Sequence, residues 1–335
     1  MIRELSRSDC KGRFMTGKFF KIFTVSSAIP AAFLFLSTSA SAADPARMIA
    51  ACPAWPSHCK IDLKGQVYRL QHTLHLNPLT MRLTNGVLDA SGLPDGEPAI
   101  LVSSDGQGQP ESYDTAASSI DHIVLTGQPK ADGIVLDNRN DDNIRAAAIT
   151  LENVAISGFR RGLTFGNHAY VFGLSHVQIH NNTTGLYTIP NAVDAGERIA
   201  LEDVNIFNNS LGVDDEGGME LDWLGSRLDY NTTTAVISGL WSFDGHIEIS
   251  PPHTPPIRLH ALVGQPAGSL FITAGSFVIV SQSDGKASSD YWVQSDSPYS
   301  AIQFPAHTYG VRGKIAVMNG PASVYGPALP AFNPN

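Results

Sequence analysis

One short pattern of apolar residues is written four times between residues 149 and 238. The copies begin at Ile149, Phe172, Ile199 and Leu221, and they are therefore separated by 23, 27 and 22 residues. Each copy keeps the same internal spacing, and only the connecting loops change length. Repetition at this period predicts stacked copies of one supersecondary unit rather than an irregular globule.

Each copy combines the two-residue period of a β-strand with a turn rich in asparagine. Val154-x-Ile156, Val177-x-Ile179 and Val204-x-Ile206 alternate between two sides of a strand. The turns that follow contain Asn181-Asn182, Asn208-Asn209 and Asn231; asparagine tolerates the left-handed backbone of a tight bend. Strand, bend, strand and loop make one turn of a parallel β-helix, in which successive strands lie about 4.8 Å apart. Asparagines at equivalent bends are then expected to form an internal ladder of amides.

The row L-x-x-V-x-I-x-N-N-x-x-G-[LV] resembles the right-handed parallel β-helix proteins of the pectin-lyase-like superfamily. The resemblance is clear over about residues 117–250 and extends to about 60–318. It implies an all-β chain, a right-handed parallel β-helix (a solenoid) with an N-terminal cap. The superfamily contains polysaccharide lyases, glycoside hydrolases, epimerases, phage tailspikes and adhesins, so the fold alone does not decide the function.

Residues 1–42 have the features of a secretory signal peptide. Basic residues precede an apolar run from Val25 to Leu36, and Ala40-Ser41-Ala42 supplies a cleavage site with small residues. The apolar run is too short for a bilayer span, so no membrane span is expected after cleavage. Translation can start at Met1 or at Met15. The protein is predicted to be secreted or periplasmic.

The mature chain is predicted to be acidic. Residues 1–42 carry six of the 22 basic and two of the 31 acidic residues, which leaves a formal net charge of −13. Such a charge argues against nucleic acid as a partner. It also makes a strongly anionic polymer a less natural ligand unless a local basic patch or a metal ion intervenes.

The remaining sequence predicts one domain with a closed N-terminal end. Residues 43–318 are assigned to the β-helix, with 43–60 as the cover of its first coil, and 319–335 to an irregular C-terminal tail. In an oxidising compartment Cys52 and Cys59 are predicted to form a disulfide; two free thiols are the alternative. The oligomeric state is left open.

Alternation along the strands predicts a polar patch with one aromatic residue on the outer wall. Six side chains from the second, third and fourth copies share this wall: Gln178, His180, Asn205, Phe207, Arg227 and Asp229. Hydrogen-bonding groups beside an aromatic ring suit a sugar, whose edges are polar and whose ring face is apolar. The alternative is a solvated sheet face with an Arg227–Asp229 surface pair.

Two clusters of carboxylates are candidates for catalysis. Asp214 is predicted to point outward and Asp215 inward, where burial raises the pKa of a carboxyl and suits it to act as a general acid. Glycoside hydrolysis uses two carboxylates, and Asp214 or Asp215 with Asp222 or Asp229, one coil on, is the predicted pair. The superfamily's polygalacturonase-type hydrolases also carry an Asp-Asp pair, but their Asn-x-Asp, Gly-His-Gly and Arg-x-Lys motifs are absent. A polar loop is the alternative.

A further triplet is Asp244-x-His246-x-Glu248, whose side chains share one face if the segment is a strand. The triplet is a candidate for an acid–base group or for part of a metal site. The alternative is that His246 is a packed, hydrogen-bonded residue of the coil.

The sequence therefore favours an exported polysaccharide-degrading glycoside hydrolase that needs no cofactor. The rival hypothesis is a glycan-binding or surface-scaffold β-helix without catalysis. A polysaccharide lyase comes third, and calcium is expected only in that case. The sugar and the linkage are not predicted.

Overall fold

The computed structural model describes residues 44–53, 57–104, 119–137, 146, 149–170, 172–193, 195–197, 199–249, 255–262, 268–273, 276–280, 291–303 and 316–325. These residues belong to one compact unit within 41–335. The predicted signal peptide and the last ten residues lie outside them.

One short helix and 25 strands make up the described chain. In chain order they are α1 (Pro45–Ala50), β1 (Cys59–Asp62), β2 (Val67–Arg69), β3 (Leu74–Leu76), β4 (Met81–Asp89), β5 (Pro98–Val102), β6 (Ser119–Thr126), β7 (Asp132–Leu136), β8 (Thr150–Ser157), β9 (Arg161–Phe165), β10 (Phe172–Ser175), β11 (Gln178–His180), β12 (Thr184–Thr188), β13 (Ile199–Glu202), β14 (Asn205–Phe207), β15 (Leu211–Asp215), β16 (Glu220–Asp229), β17 (Thr233–Ile237), β18 (Leu240–Ile249), β19 (Ile257–Leu259), β20 (Ser269–Ile272), β21 (Phe277–Val280), β22 (Tyr291–Ser295), β23 (Ala301–Gln303), β24 (Ala316–Asn319) and β25 (Ser323–Tyr325).

The strands form two parallel sheets of 15 and ten strands. Each coil contributes to the larger sheet, then to the smaller one, and pairs in parallel with the coils before and after it. The chain is a right-handed parallel β-helix, as predicted. Among the described residues, α1 is the one helix, and its six residues are far too few to cross the hydrocarbon layer of a membrane.

The predicted register is confirmed in all four copies. Val177 lies beside Val204, and the Asn205 backbone N–H donates to the Val177 carbonyl at 2.8 Å. Leu151, Leu174, Leu201 and Trp223 form a second file of neighbours. These side chains are buried and belong to one continuous core.

From its first coil to β16 the larger sheet bends, so that each of these coils has three faces. The bend is one residue wide, and its members have a left-handed backbone with φ between 49° and 62°: Lys64, Asn85, His122, Asn153, His176, Asp203 and Gly225. We call the strands before this bend face 1, those after it face 2, and the ten-stranded sheet face 3. Face 2 includes β11 and β14, and face 3 includes β12 and β15.

The predicted amide ladder lies at the corner between faces 2 and 3. The Asn182 Nδ2 group donates to Asn209 Oδ1 at 3.1 Å, and Asn209 Nδ2 donates to Asn231 Oδ1 at 3.0 Å. The same oxygens also accept backbone N–H groups from the preceding coil, that of Asn182 at 2.9 Å and that of Asn209 at 3.0 Å. Buried amides satisfied in this way fix the corner between the two faces.

The two ends of the solenoid can be compared with the predicted N-terminal cap and the predicted C-terminal tail. At the N-terminus Asp44 caps α1, whose Met48 and Ile49 pack on the core, and the disulfide between Cys52 and Cys59 is present with Cα atoms 5.5 Å apart. At the C-terminus the irregular tail predicted for 319–335 needs correction. β25 pairs with β23 inside that range, although its three residues are exposed.

Candidate functional site

Face 2 presents two files of side chains on the outer wall. The first file contains Gln178, Asn205, Arg227 and His246, and the second contains His180, Phe207, Asp229 and Glu248. Because each step between coils is about 4.8 Å, the four coils span about 14 Å along the helix axis. All six residues predicted for the sugar-binding patch therefore lie on this wall, in the predicted order.

An aromatic platform and an unsatisfied acceptor occupy the middle of face 2. The His180 and Phe207 rings are stacked, with centroids 4.8 Å apart and planes inclined by 14°. Burial lowers the pKa of His180, which favours the neutral ring. In the neighbouring file the Asn205 Oδ1 atom is buried and has no hydrogen-bond partner among the described residues. This wall thus combines an aromatic surface with a buried acceptor that lacks a partner.

Asp229 and Glu248 are neighbouring carboxylates one coil apart on face 2. Asp229 Oδ1 lies 2.8 Å from His246 Nδ1 and accepts the Glu248 backbone N–H at 3.1 Å. The pKa of Asp229 is raised, mainly by burial and also by the charge of Glu248, although His246 opposes the shift. Glu248 in turn accepts a hydrogen bond from Tyr230 and raises the pKa of that phenol. Two carboxylates whose environments differ are an arrangement suited to acid–base chemistry.

The structure joins Asp229 to two residues that the sequence had assigned to a separate triplet. Trp241-x-Phe243 and Ile247-x-Ile249 are a fifth copy of the apolar pattern, but Trp241 and Ile247 are six positions apart, whereas Leu221 and Leu228 are seven apart. A shift of register between Trp223 and Ser226 absorbs the difference and brings His246 and Glu248 beside Arg227 and Asp229. Asp244, His246 and Glu248 all lie in β18, and His246 and Glu248 are the two that pair with Arg227 and Asp229.

The four candidate aspartates do not form one site. Asp222 lies on face 1, Asp229 on face 2 and Asp214 on face 3, while Asp215 points into the core. The predicted pairing of Asp214 or Asp215 with Asp222 or Asp229 is therefore corrected, since different walls of the coil carry them.

Asp215 is a fully buried carboxyl held by four donors. Oδ1 accepts from the Met219 N–H at 3.0 Å and the Thr188 hydroxyl at 3.1 Å; Oδ2 accepts from Trp241 Nε1 at 2.8 Å and the Gly239 N–H at 3.2 Å. Burial raises its pKa to about 7, although these hydrogen bonds lower it. The inward position and the raised pKa follow the prediction. A carboxyl with no exposed surface cannot contact a polysaccharide, so its contacts indicate a structural role.

Asp214 lies on the outer wall of face 3, between Tyr187 and Val236. Burial and the charge of Glu216 raise its pKa to about 6, against the opposing charges of Arg161, Arg258 and His260. No group of three or more His, Cys, Asp or Glu residues suited to a metal ion occurs in the described part of the chain.

The fold and its walls define the chain as a right-handed parallel β-helix with polar and aromatic files on its outer surface. A similar solved structure is the enzymatically active domain of tailspike protein 4 from bacteriophage CBA120. The match has 10% sequence identity and a TM-score of 0.52, and covers 80% of this chain but 35% of that one. The chain thus spans about a third of the length of that protein, and the likeness concerns the fold. No protein-family model and no curated protein matches the sequence.

Proposed function

We propose that this chain is an exported glycoside hydrolase that binds a polysaccharide along face 2. The observation that carries the proposal is the Asp229–Glu248 pair, which lies in register with the His180–Phe207 stack on the preceding coils. The structural neighbour is an enzymatically active domain built on the same fold, which is in keeping with catalysis on such a wall. The disulfide is in keeping with an exported protein.

The two carboxylates have different tasks in this proposal. Burial raises the pKa of Asp229, so this group holds a proton closer to neutral pH and serves as the general acid that protonates the glycosidic oxygen. Glu248 is the second carboxylate, which activates water or attacks the anomeric carbon. His246, hydrogen-bonded to Asp229, orients the acid and is a positioning residue.

The binding residues act on the sugars on either side of the bond that is cleaved. A sugar ring packs on the exposed part of the Phe207 and His180 rings, while Gln178 and Arg227 meet its hydroxyl groups. In this scheme the Asn205 amide turns when the sugar binds, so that its unsatisfied, buried oxygen accepts a hydrogen bond from a sugar hydroxyl. No cofactor enters this scheme.

The test incubates the protein with a panel of bacterial and plant polysaccharides and follows reducing ends and product masses. Asp229→Asn and Glu248→Gln should each slow product release roughly 100-fold or more. Asp244→Asn is the matched control, because Asp244 lies in the same strand, β18, but on the other side of Gly245 from Glu248. This variant should retain wild-type rates. Wild-type activity in both Asp229→Asn and Glu248→Gln would refute this assignment.

A glycan-binding protein without catalysis is the second candidate. The stacked rings and the free Asn205 acceptor support binding whether or not a bond is broken. This candidate predicts retention of a polysaccharide in an affinity gel with no change in its mass. A lyase would instead release an unsaturated product that absorbs in the ultraviolet.

A further inference from the structure

Face 3 carries a second cluster that the proposed mechanism does not use. Tyr187 and Asp214 are adjacent on neighbouring coils, and Arg161 lies on the coil before Tyr187. The amide ladder and the corner of the coil separate this cluster from face 2. A molecule bound here would therefore not touch Asp229 or Glu248.

The Asp214 carboxyl has an acceptor that nothing in the described chain satisfies. Its Oδ1 atom is buried and has no hydrogen-bond partner, although the side chain as a whole is partly exposed. Buried polar atoms in native proteins are nearly always paired, and an exception calls for a reason. Because the side chain is partly exposed, rotation of the carboxyl group would bring this oxygen to the surface, where a ligand hydroxyl that donates to it would remove the penalty.

Cationic side chains and an aromatic ring lie near Asp214. The Arg161 guanidinium carbon lies 3.7 Å from the centroid of the Tyr187 ring, a cation–π contact that holds both side chains in place. The charges of Arg161, Arg258 and His260 reach Asp214. His260 itself is hydrogen-bonded to Asp296.

An internal ion cluster does not account for this arrangement. In such a cluster Asp214 would form close ion pairs with the arginines, yet none is present among the described residues, and Oδ1 stays unpaired. Arg161 is directed to the Tyr187 ring instead. The Asp214 carboxyl and the Arg161 guanidinium are therefore not consumed in an ion pair with each other.

We propose that Tyr187, Asp214 and Arg161 form a second saccharide-binding site, which takes a neutral, hydroxyl-rich sugar ring. A neutral ring supplies both the donor that Asp214 lacks and the acceptors that the arginines can use, whereas an anionic sugar would be repelled by Asp214 and Glu216. The identity of the polymer rests on the function proposed above. A chain held on faces 2 and 3 together binds more tightly than at either site alone.

The test counts saccharide-binding sites per chain in a variant that cannot cleave the polymer. The Glu248→Gln variant is screened by affinity electrophoresis in gels that contain dextran, xylan, mannan or polygalacturonate. A fluorescent oligosaccharide cut from the best neutral ligand is then used in equilibrium dialysis. We expect two sites per chain, and one after either Asp214→Ala or Arg227→Ala is added. Polymer affinity should fall roughly tenfold or more in each double variant.

Gln294→Ala is the matched control, because this exposed residue continues the Asp214 file on face 3 beyond Arg258. It should leave two sites. Asp214→Leu, which keeps the branched shape of the side chain but has no acceptor, guards against misfolding of Asp214→Ala and should also remove one site.

The outcomes separate this inference from the proposed function. One site per chain, unchanged by Asp214→Ala, would overturn the second site while polysaccharide cleavage stands. Two sites of which Asp214→Ala removes one, without product from the wild type, would uphold the site and refute the hydrolase. No binding to any neutral polymer, or preference for polygalacturonate, would overturn the inference.

Discussion

At the scale of single residues, Asp214 and Asp215 show how one step along a strand changes the role of a carboxyl. Asp214 points outward from face 3 and keeps an unpaired oxygen, while Asp215 points inward and has four donors. Alternation predicted these directions from the sequence. It could not predict the donors, because Trp241 and Gly239 come from the next coil and Thr188 from the previous one.

The buried Asp215 carboxyl is expected to make stability depend on pH. Its pKa is raised from 3.8 to about 7, so the folded chain holds this proton more tightly than the unfolded chain. The stabilisation is complete below pH 4 and is lost as the pH rises to 7, to a total of about 4 kcal/mol.

Asp215→Asn removes this titration and places an amide NH₂ group against two donors. The variant should be less stable than the wild type by roughly 2–4 kcal/mol at pH 4.5, and the difference should shrink towards pH 7.5. Urea unfolding at several pH values measures both effects, with Glu202→Gln, an exposed carboxyl, as the control. A difference that stays constant with pH would contradict the prediction.

At the scale of elements, the corner between faces 2 and 3 depends on small residues beside the amide ladder. A Cβ atom on Gly185 would lie 2.5 Å from the Gly212 carbonyl oxygen and 3.0 Å from Asn209 Nδ2. A Cβ on Gly173, in contrast, would meet its nearest atom, Thr150 Cγ2, at 3.7 Å. Both glycines lie in strands of the same coil, which makes them a matched pair.

Gly185→Ala should therefore destabilise the protein by roughly 2–3 kcal/mol, because the ladder and the next strand must move. Gly173→Ala should change stability by less than about 0.5 kcal/mol. The midpoint of urea unfolding for the two variants is the measurement. Equal shifts would show that the packing at this corner is not what limits the substitution.

The elements also show where prediction from the sequence stops. The apolar rows and the Asn-Asn turns predicted the register and the ladder, since both follow from local spacing. The wall that bears Gln178, Asn205 and Arg227 followed from the same alternation. Alternation did not predict that Glu248 lies beside Asp229. That position depends on a shift of register inside β16, which no local signal in the sequence marks.

At the scale of the whole molecule, each coil pairs mainly with the coils before and after it, so an end can open without the rest. Helix α1 covers the first coil, and the Cys52–Cys59 disulfide closes the loop between them. Closing a loop of this size contributes about 2–3 kcal/mol on a chain-entropy account.

Replacing both cysteines, as Cys52→Ser with Cys59→Ser, should loosen this end selectively. We expect faster hydrogen exchange in β1 to β3, while the ladder coils from Asn182 to Asn231 keep their protection, because stability in a solenoid is transmitted between neighbours. Hydrogen exchange read by mass spectrometry measures this. Uniform loss of protection over all coils would contradict a stepwise solenoid.

The coil that begins at Phe172 is longer than its neighbours, and its extra residues lie in the connection from β12 to β13. That connection bonds to the preceding loop through main-chain contacts, such as the His168 N–H to the Val193 carbonyl and the Gly196 N–H to the Ala169 carbonyl. The walls keep their register across it. The connection from β12 to β13 is thus a suitable place to insert a foreign peptide. We expect the insertion to leave the strand pairing of faces 2 and 3 unchanged.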